Sequence, residues 1–139
     1  MVTLFFVALT AIVSITAFNR RDIYYRLIFN AYQTMRRREW HRLFTHALLH
    51  GSWEHLIINM LVLFSFGTAL ENDFSRYYTV SSALLFAILY ISAVLISSLY
   101  SLYKEKNNPY YNAVGASGAV SAVVFANIFY DPLSMIYFF

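Results

Sequence analysis

Long apolar runs alternate with short polar segments along this chain, at lengths typical of membrane helices. The first run, Val2 to Phe18, is uncharged for 17 residues. As a helix it measures about 25 Å, at the short end for a bilayer crossing. Further apolar runs predict crossings at about residues 53–70, 78–102 and 115–130. With the first run as a span at about residues 2–18, the pattern predicts four complete spans. The predicted fold is an all-α, polytopic transmembrane bundle.

Polar or helix-breaking residues separate these runs. Glu71 to Arg76 predicts a short polar hinge after the second span. Asp131-Pro132 ends the fourth span, because proline disfavours helix at the preceding residue and donates no amide hydrogen bond. Residues 133–139 are apolar again but extend only about 10 Å as helix, too short to cross. We therefore expect one membrane domain over 1–139 that is incomplete and stops at the start of a fifth helix.

Composition supports a membrane protein. Hydrophobic residues make up 60% of the chain and charged residues 12%, against about half and about a quarter in soluble domains. A soluble globule of this size has too few charges to cover that much apolar surface. The chain has no cysteine, which excludes a disulfide framework and a cysteine metal site.

The basic residues are concentrated in one segment. The net charge is +3, and seven of the ten basic residues lie between Arg20 and Arg42. Tyrosines and a tryptophan are interleaved with them, a mixture typical of a loop at the lipid headgroups. This placement predicts that the segment contacts the lipid bilayer, and it argues against a surface that binds nucleic acid.

Two polar side chains interrupt the second span. His55 and Asn59 are four residues apart and therefore share one helical face, with His50 just outside the helix start. An imidazole and a carboxamide on one face can both donate hydrogen bonds to a developing negative charge. They can equally act as hydrogen-bonding glue between packed helices. Spacing alone leaves both interpretations open.

A serine stands among small residues where the fourth span begins, in Gly115-Ala116-Ser117-Gly118. The N-terminus of a helix offers free amides and the positive end of the helix dipole, which favour an oxyanion beside a nucleophile. Helix packing is the alternative, because Gly118, Ala122 and Ala126 form a small-residue stripe at four-residue spacing. Ser117 lies one residue off that stripe, so both interpretations can hold.

Taken in order, these blocks resemble the rhomboid family of intramembrane serine proteases. The matching stretches are Arg42 to Gly51, His55 with Asn59-Met60, Phe66-Gly67 with Glu71, and Gly115 to Gly118. The resemblance implies a six-helix fold that hydrolyses transmembrane protein substrates with a Ser-His dyad. It further implies that no cofactor or metal is needed and that the protein resides in a membrane, with a bacterial cell (inner) membrane expected.

The resemblance also assigns roles to individual residues. Ser117 matches the nucleophile. His55 and Asn59 match the residues that form the oxyanion hole together with the amide of Ser117.

The resemblance also assigns supporting roles to five other residues. His50 matches a histidine near the water-filled cavity, and Gly115 matches the residue that permits a tight turn before the nucleophile. Gly118 belongs to the same matching block. Arg42 matches an arginine that anchors the first loop, and Glu71 a carboxylate that ties helix ends together; both are expected to be structural.

Three departures from the family pattern qualify the resemblance. His41 and Ser121 stand where many members carry aromatic residues. No histidine follows His55, whereas the family takes its catalytic base from the sixth helix. We therefore expect the reading frame to continue past Phe139 into about two more helices with a buried histidine. The alternative is a rhomboid-like pseudoprotease that binds membrane helices without cutting them.

A zinc site is a further alternative. His46 and His50 are four residues apart, with Glu54 nearby. The segment lacks the His-Glu-x-x-His spacing of zinc peptidases and a clear third ligand.

Two arguments predict opposite orientations of the protein in the membrane. The family layout places the N-terminus in the cytoplasm and the basic first loop outside, whereas the positive-inside rule places that loop inside. We favour the family layout, because arginines of an interfacial loop can reach lipid phosphates. Oligomeric state, substrate identity and cleavage site do not follow from the sequence.

Overall fold

The four long apolar runs fold as helices that pack into one bundle. A computed structural model describes residues 1–132. Its helices in that range are α1 (Val2–Asn19), α2 (Arg21–Leu27), α3 (Ala31–Arg36), α4 (Arg42–Thr45), α5 (Trp53–Tyr77), α6 (Ser82–Glu105) and α7 (Ser117–Tyr130). A single 3-10 turn, His46–Leu48, follows α4. The predicted all-α class is confirmed for the described residues.

Three of the described helices, α1, α5 and α6, are long and apolar enough to cross a membrane. The apolar helix α7 has 14 residues, about 21 Å, which is shorter than a hydrocarbon core of about 30 Å. The number of four crossings therefore stays a prediction. The predicted start of a fifth helix at residues 133–139 lies outside the described residues.

The helix bounds differ from the predicted spans at three places. The predicted hinge at Glu71 to Arg76 is wrong, since α5 runs through it to Tyr77. Helix α6 begins at Ser82, four residues later than expected. Helix α7 begins at Ser117 and not at Gly115, because Gly115 has a φ of 108°, outside the helical region.

Helix α1 buries three hydroxyl side chains and exposes several large apolar ones. Thr3, Thr10 and Ser14 are fully buried, while Phe5 and Ile12 are exposed. This arrangement suits a helix whose outer face meets lipid, because large apolar side chains are stable there and buried hydroxyl groups can reach partners on other elements. Helix α1 thus directs its hydroxyl groups toward α5, α6 and the loop after α1.

The core lies between α5, α6 and α7. Leu63, Leu70, Phe86 and Val123 are completely buried there. Packing brings the N-terminal half of α5 beside the start of α7, where the predicted site residues lie.

Two glycines mark close helix contacts. A Cβ atom on Gly67 would lie 2.6 Å from Thr3 Cγ2 on α1, and one on Gly118 would lie 2.6 Å from Ser97 Cβ on α6. Side chains at either position would push the neighbouring helix away. Gly118 therefore has the packing role that the small-residue stripe predicts.

Glu71 joins α5 to the start of α1. Its carboxylate accepts hydrogen bonds from the amides of Val2 (2.9 Å) and Thr3 (3.0 Å) and from the Thr3 hydroxyl (2.7 Å). A negative charge at a helix N-terminus satisfies free amides and complements the helix dipole. These contacts explain why α5 continues past a residue that looks like a hinge.

Residues 20–52, called the first loop below, pack beside the bundle around Arg42. Arg42 is 5% exposed, and its side chain pairs with Glu39 at 2.6 Å. It also donates to the carbonyls of Tyr25 (3.0 Å) and Ile28 (2.6 Å). These contacts connect α4 to the end of α2, as an anchoring residue requires.

Candidate active site

The segment that leads to Ser117 is paired with the first loop. Phe29 and Ala113 form an isolated antiparallel bridge, with N–H···O distances of 3.1 and 3.0 Å. The side chain of Asn30 adds a hydrogen bond to the carbonyl of Pro109 at 3.0 Å. The first loop therefore sets the path of the chain just before α7.

Gly115 makes the turn into α7. Its amide donates to the carbonyl of His46 at 3.0 Å, and its φ of 108° is one that glycine adopts without strain. A Cβ atom at this position would lie 2.9 Å from His55 Cε1. Both the backbone conformation and the available space thus require glycine, the residue that the sequence analysis singled out.

Ser117 is the first residue of α7 and is exposed. Amides in the first turn of a helix have no partner within the helix, and the dipole there favours negative charge. The Ser117 hydroxyl forms no hydrogen bond with any other residue in the described range. Ser117 therefore has the free hydroxyl and the nearby donors that a nucleophile needs.

The His55 imidazole borders the same space. The Cβ position that glycine leaves open at Gly115 lies 3.3 Å from His55 Nε2 and 3.9 Å from the amide nitrogen of Ser117. The amide of His55 is capped by the Ser52 hydroxyl at 3.2 Å, which fixes the start of α5. The imidazole of His55 and the backbone amide of Ser117 therefore lie within 4 Å of one point beside Gly115.

Asn59 lies one turn further along α5 and is buried. Its side-chain nitrogen donates to the carbonyl of His55 at 2.8 Å. A carboxamide carries two N–H donors, so one remains for another acceptor. The predicted shared face of His55 and Asn59 is thus present in the folded helix.

His50 lies beneath His55 and is 1% exposed. The two imidazole rings meet edge to face, with centroids 4.9 Å apart. Burial, and secondarily the charge on His55, lower the pKa of His50 to about 4. His50 is therefore a neutral imidazole at pH 7.

A polar cavity of about 350 Å³ lies beside His50. Its wall includes the side chains of Arg21, Tyr24 and Tyr25 from the first loop. Guanidinium and phenol groups around a cavity of this size favour bound water inside a membrane protein. Of the candidate site residues, His50 borders this cavity, whereas Ser117 and His55 do not line it.

The geometry does not support a zinc site at His46 and His50. His46 packs its ring on Phe29 at 5.6 Å, whereas His50 packs on His55. Burial lowers the pKa of His46. Across residues 1–132, no three His, Asp or Glu side chains converge as a metal site would require.

The remaining predicted residues lie apart from this group. Arg42 holds the first loop and Glu71 the far end of α1, as described above. Ser121 is exposed one turn beyond Ser117, and His41 contacts the carbonyl of Arg26 at 3.2 Å. The structure therefore brings together His50, His55, Asn59, Gly115 and Ser117.

Sequence reasoning missed Ser14 of α1. Its hydroxyl lies 3.0 Å from His50 Nδ1 and 2.7 Å from the carbonyl oxygen of Leu48. The signal was weak, because one hydroxyl in a long apolar run is common in membrane helices. Its spacing from Thr3 and Thr10, which places all three on the buried face of α1, was the available indication.

Comparison with known families identifies the domain. A model of the rhomboid domain matches residues 37–139, from the first loop through α7 and beyond. The chain belongs to the rhomboid family. With its apolar helices, this makes it an integral membrane protein, and the predicted resemblance is confirmed.

Two relatives show how far the similarity extends. The chain is 28% identical over 109 residues to rhomboid protease AarA of Providencia stuartii, an alignment that covers 73% of this chain and 38% of the relative. It is 28% identical over 112 residues to RHOMBOID-like protein 12, mitochondrial, of Arabidopsis thaliana, covering 70% and 31% respectively. The aligned region is thus about a third of the length of these relatives.

Proposed function

We propose that this rhomboid protein is an intramembrane serine endopeptidase that cleaves transmembrane protein substrates, with Ser117 as its nucleophile. The observation that carries the proposal is the exposed Ser117 at the N-terminus of α7, whose hydroxyl has no hydrogen bond to another described residue. It follows directly on a turn at Gly115 that contacts the His55 imidazole. The similarity to a rhomboid protease supports the same reaction class.

In the proposed reaction the Ser117 oxygen attacks the scissile carbonyl of a locally unwound substrate helix. The resulting oxyanion accepts hydrogen bonds from the amide of Ser117, the His55 ring and the remaining N–H of Asn59. Removing one such donor costs on the order of 3 kcal/mol in the transition state, about a hundredfold in rate.

The proton acceptor of the dyad is not identified in this sequence. No histidine follows His55, and a serine hydroxyl without a general base is a poor nucleophile. His55 acting as base would give up its role as a donor to the oxyanion. The base of the proposed dyad is therefore not assigned to any of the four histidines in this sequence.

A rhomboid-like pseudoprotease is the second candidate function. In this alternative the protein binds membrane helices without cutting them, and the oxyanion donors have no catalytic use.

Labelling with a mechanism-based serine probe separates the two functions. The protein is expressed from its complete reading frame in membranes that also contain a transmembrane reporter substrate. We expect probe labelling and reporter cleavage, both abolished by Ser117→Ala and both retained by Ser121→Ala. Ser121 is a matched control, since it is exposed one turn later on the same helix. Reporter binding without labelling or cleavage would establish the pseudoprotease and overturn the protease.

We also propose a bacterial cell membrane as the location, with the N-terminus in the cytoplasm and the first loop outside. The bacterial relative supports the first part. Because the chain has no cysteine, a single cysteine reports on one site. A membrane-impermeant thiol reagent should label Arg37→Cys in intact cells and leave Ser75→Cys unlabelled. The reverse pattern would reject this orientation.

A further inference from the structure

A hydroxyl on α1 contacts the buried histidine of the candidate site. Ser14 is fully buried, and its oxygen lies 3.0 Å from His50 Nδ1. The same oxygen lies 2.7 Å from the carbonyl oxygen of Leu48. One serine therefore bridges a backbone acceptor and an imidazole nitrogen.

These two contacts determine where the hydrogens lie. A carbonyl oxygen only accepts, and a serine hydroxyl carries one hydrogen. At 2.7 Å from Leu48 O, that hydrogen must lie between the two oxygens, since two unshielded oxygens would repel each other. The Ser14 oxygen therefore accepts from His50, and the imidazole proton is on Nδ1.

The other ring nitrogen of His50, Nε2, is consequently unprotonated and can only accept a hydrogen bond. His50 Nε2 is buried and has no hydrogen-bond partner among the described residues. The ring meets His55 edge to face at 4.9 Å. A buried acceptor of this kind is costly unless a donor reaches it.

We infer that Ser14 is a positioning residue of the rhomboid site, which fixes His50 as a hydrogen-bond acceptor through Nε2. The inference rests on the proposed function for its catalytic meaning. His50 in this tautomer cannot donate to an oxyanion and is not part of the oxyanion hole. It can accept a hydrogen bond from a water molecule, and its ring packs against the His55 ring that contacts the turn before Ser117.

The tautomer is measurable by ¹⁵N NMR on the protein in detergent micelles or nanodiscs with labelled histidine. We expect the wild-type protein at pH 7 to show protonated Nδ1 and unprotonated Nε2 at His50. Ser14→Ala should shift the signals toward protonation of Nε2, and Ser14→Thr should restore the wild-type pattern. Thr10→Ala is the matched control, because Thr10 is an equally buried hydroxyl one turn earlier on α1. Assignment comes from the signals that disappear in His50→Gln.

Wild-type His50 with its proton on Nε2 would overturn the inference, and so would an unchanged tautomer in Ser14→Ala. The wild-type spectrum decides the matter even where a variant fails to fold.

Probe labelling of Ser117 supplies the catalytic readout. We expect Ser14→Ala to lower the labelling rate about fivefold, as for loss of one neutral hydrogen bond, and Ser14→Thr and Thr10→Ala to keep it. Equal labelling rates in Ser14→Ala and wild type would overturn the positioning role. If the tautomer is as expected but no wild-type labelling occurs, the proposed protease function fails while the Ser14–His50 assignment stands.

Discussion

Gly115 and His55 are packed so closely that a single methyl group would not fit between them. A Cβ atom on Gly115 would lie 2.9 Å from His55 Cε1, and the backbone there has a φ of 108°. The turn before the nucleophile and the position of the imidazole therefore depend on each other.

Gly115→Ala should displace His55 and strain the turn into α7. We expect the rate of probe labelling at Ser117 to fall about a hundredfold, the loss typical of one oxyanion donor. Gly51→Ala is the matched control, because a Cβ atom there would meet only Val114 Cγ2, at an ordinary 4.0 Å. Equal labelling of both variants would show that the close contact has no role in reactivity.

His55→Ala should remove one oxyanion donor while leaving α5 intact. The expected effect is a decrease of about a hundredfold in kcat for reporter cleavage, with little change in KM, because the donor acts mainly in the transition state. Ile58→Ala serves as control, since Ile58 is an exposed side chain on the same helix. A change confined to KM would assign His55 to substrate binding instead.

Glu71→Ala should destabilise the contact between α1 and α5. The carboxylate accepts three hydrogen bonds from Val2 and Thr3, so we expect a loss of about 2–3 kcal/mol. The thermal transition in detergent should move to a lower temperature. Asn72→Ala, an exposed neighbour on α5, should leave it unchanged. A transition as high as that of wild type in Glu71→Ala would contradict a stabilising role.

Acid should destabilise the fold through His50. Its pKa is lowered to about 4 in the folded protein, against about 6.5 for an exposed histidine. The unfolded chain therefore binds more protons between these values, and stability falls as the pH decreases from about 6.5 to about 4. The total loss is about 3 kcal/mol.

Thermal transitions measured across this pH range test the prediction. His50→Gln should flatten the decline, whereas His41→Gln, at an exposed position, should not. Burial also lowers the pKa of His46, so a smaller decline should persist in His50→Gln. The titratable or charged groups that surround His50 are His55, Arg21, Tyr24 and Tyr25. A decline of equal size in wild type and His50→Gln would reject His50 as its source.

Local sequence patterns predict the helices of this fold and the side chains that share a helical face, because both depend on residues close together in the chain. The uncharged run of α1 needs only its length and apolarity to indicate a helix, and the His55–Asn59 spacing places both side chains on one face. The predicted hinge at Glu71 was wrong because its partners, Val2 and Thr3, lie 68 or 69 residues earlier in the chain. A local pattern contains no signal for such a contact.

The same limit applies to the candidate site. Ser117 and Gly115 were found because a serine among small residues at a helix start has a recognisable chemistry. Ser14 was missed because its role depends on the carbonyl of Leu48 and on His50, both brought to it by the 3-10 turn at His46–Leu48. Tertiary packing, and not the residue's own neighbours, determines what that hydroxyl does.

The bridge between Phe29 and Ala113 makes the first loop and the segment before Ser117 a single mechanical unit. Two peptide hydrogen bonds join them, and a third runs from Gly115 to the carbonyl of His46. Arg36, Arg37 and Arg38 of the loop are exposed and can reach lipid phosphates. Any displacement of the loop therefore moves the segment before Ser117 as well. A substitution in the first loop, far from Ser117 in the sequence, can thus change where that serine lies.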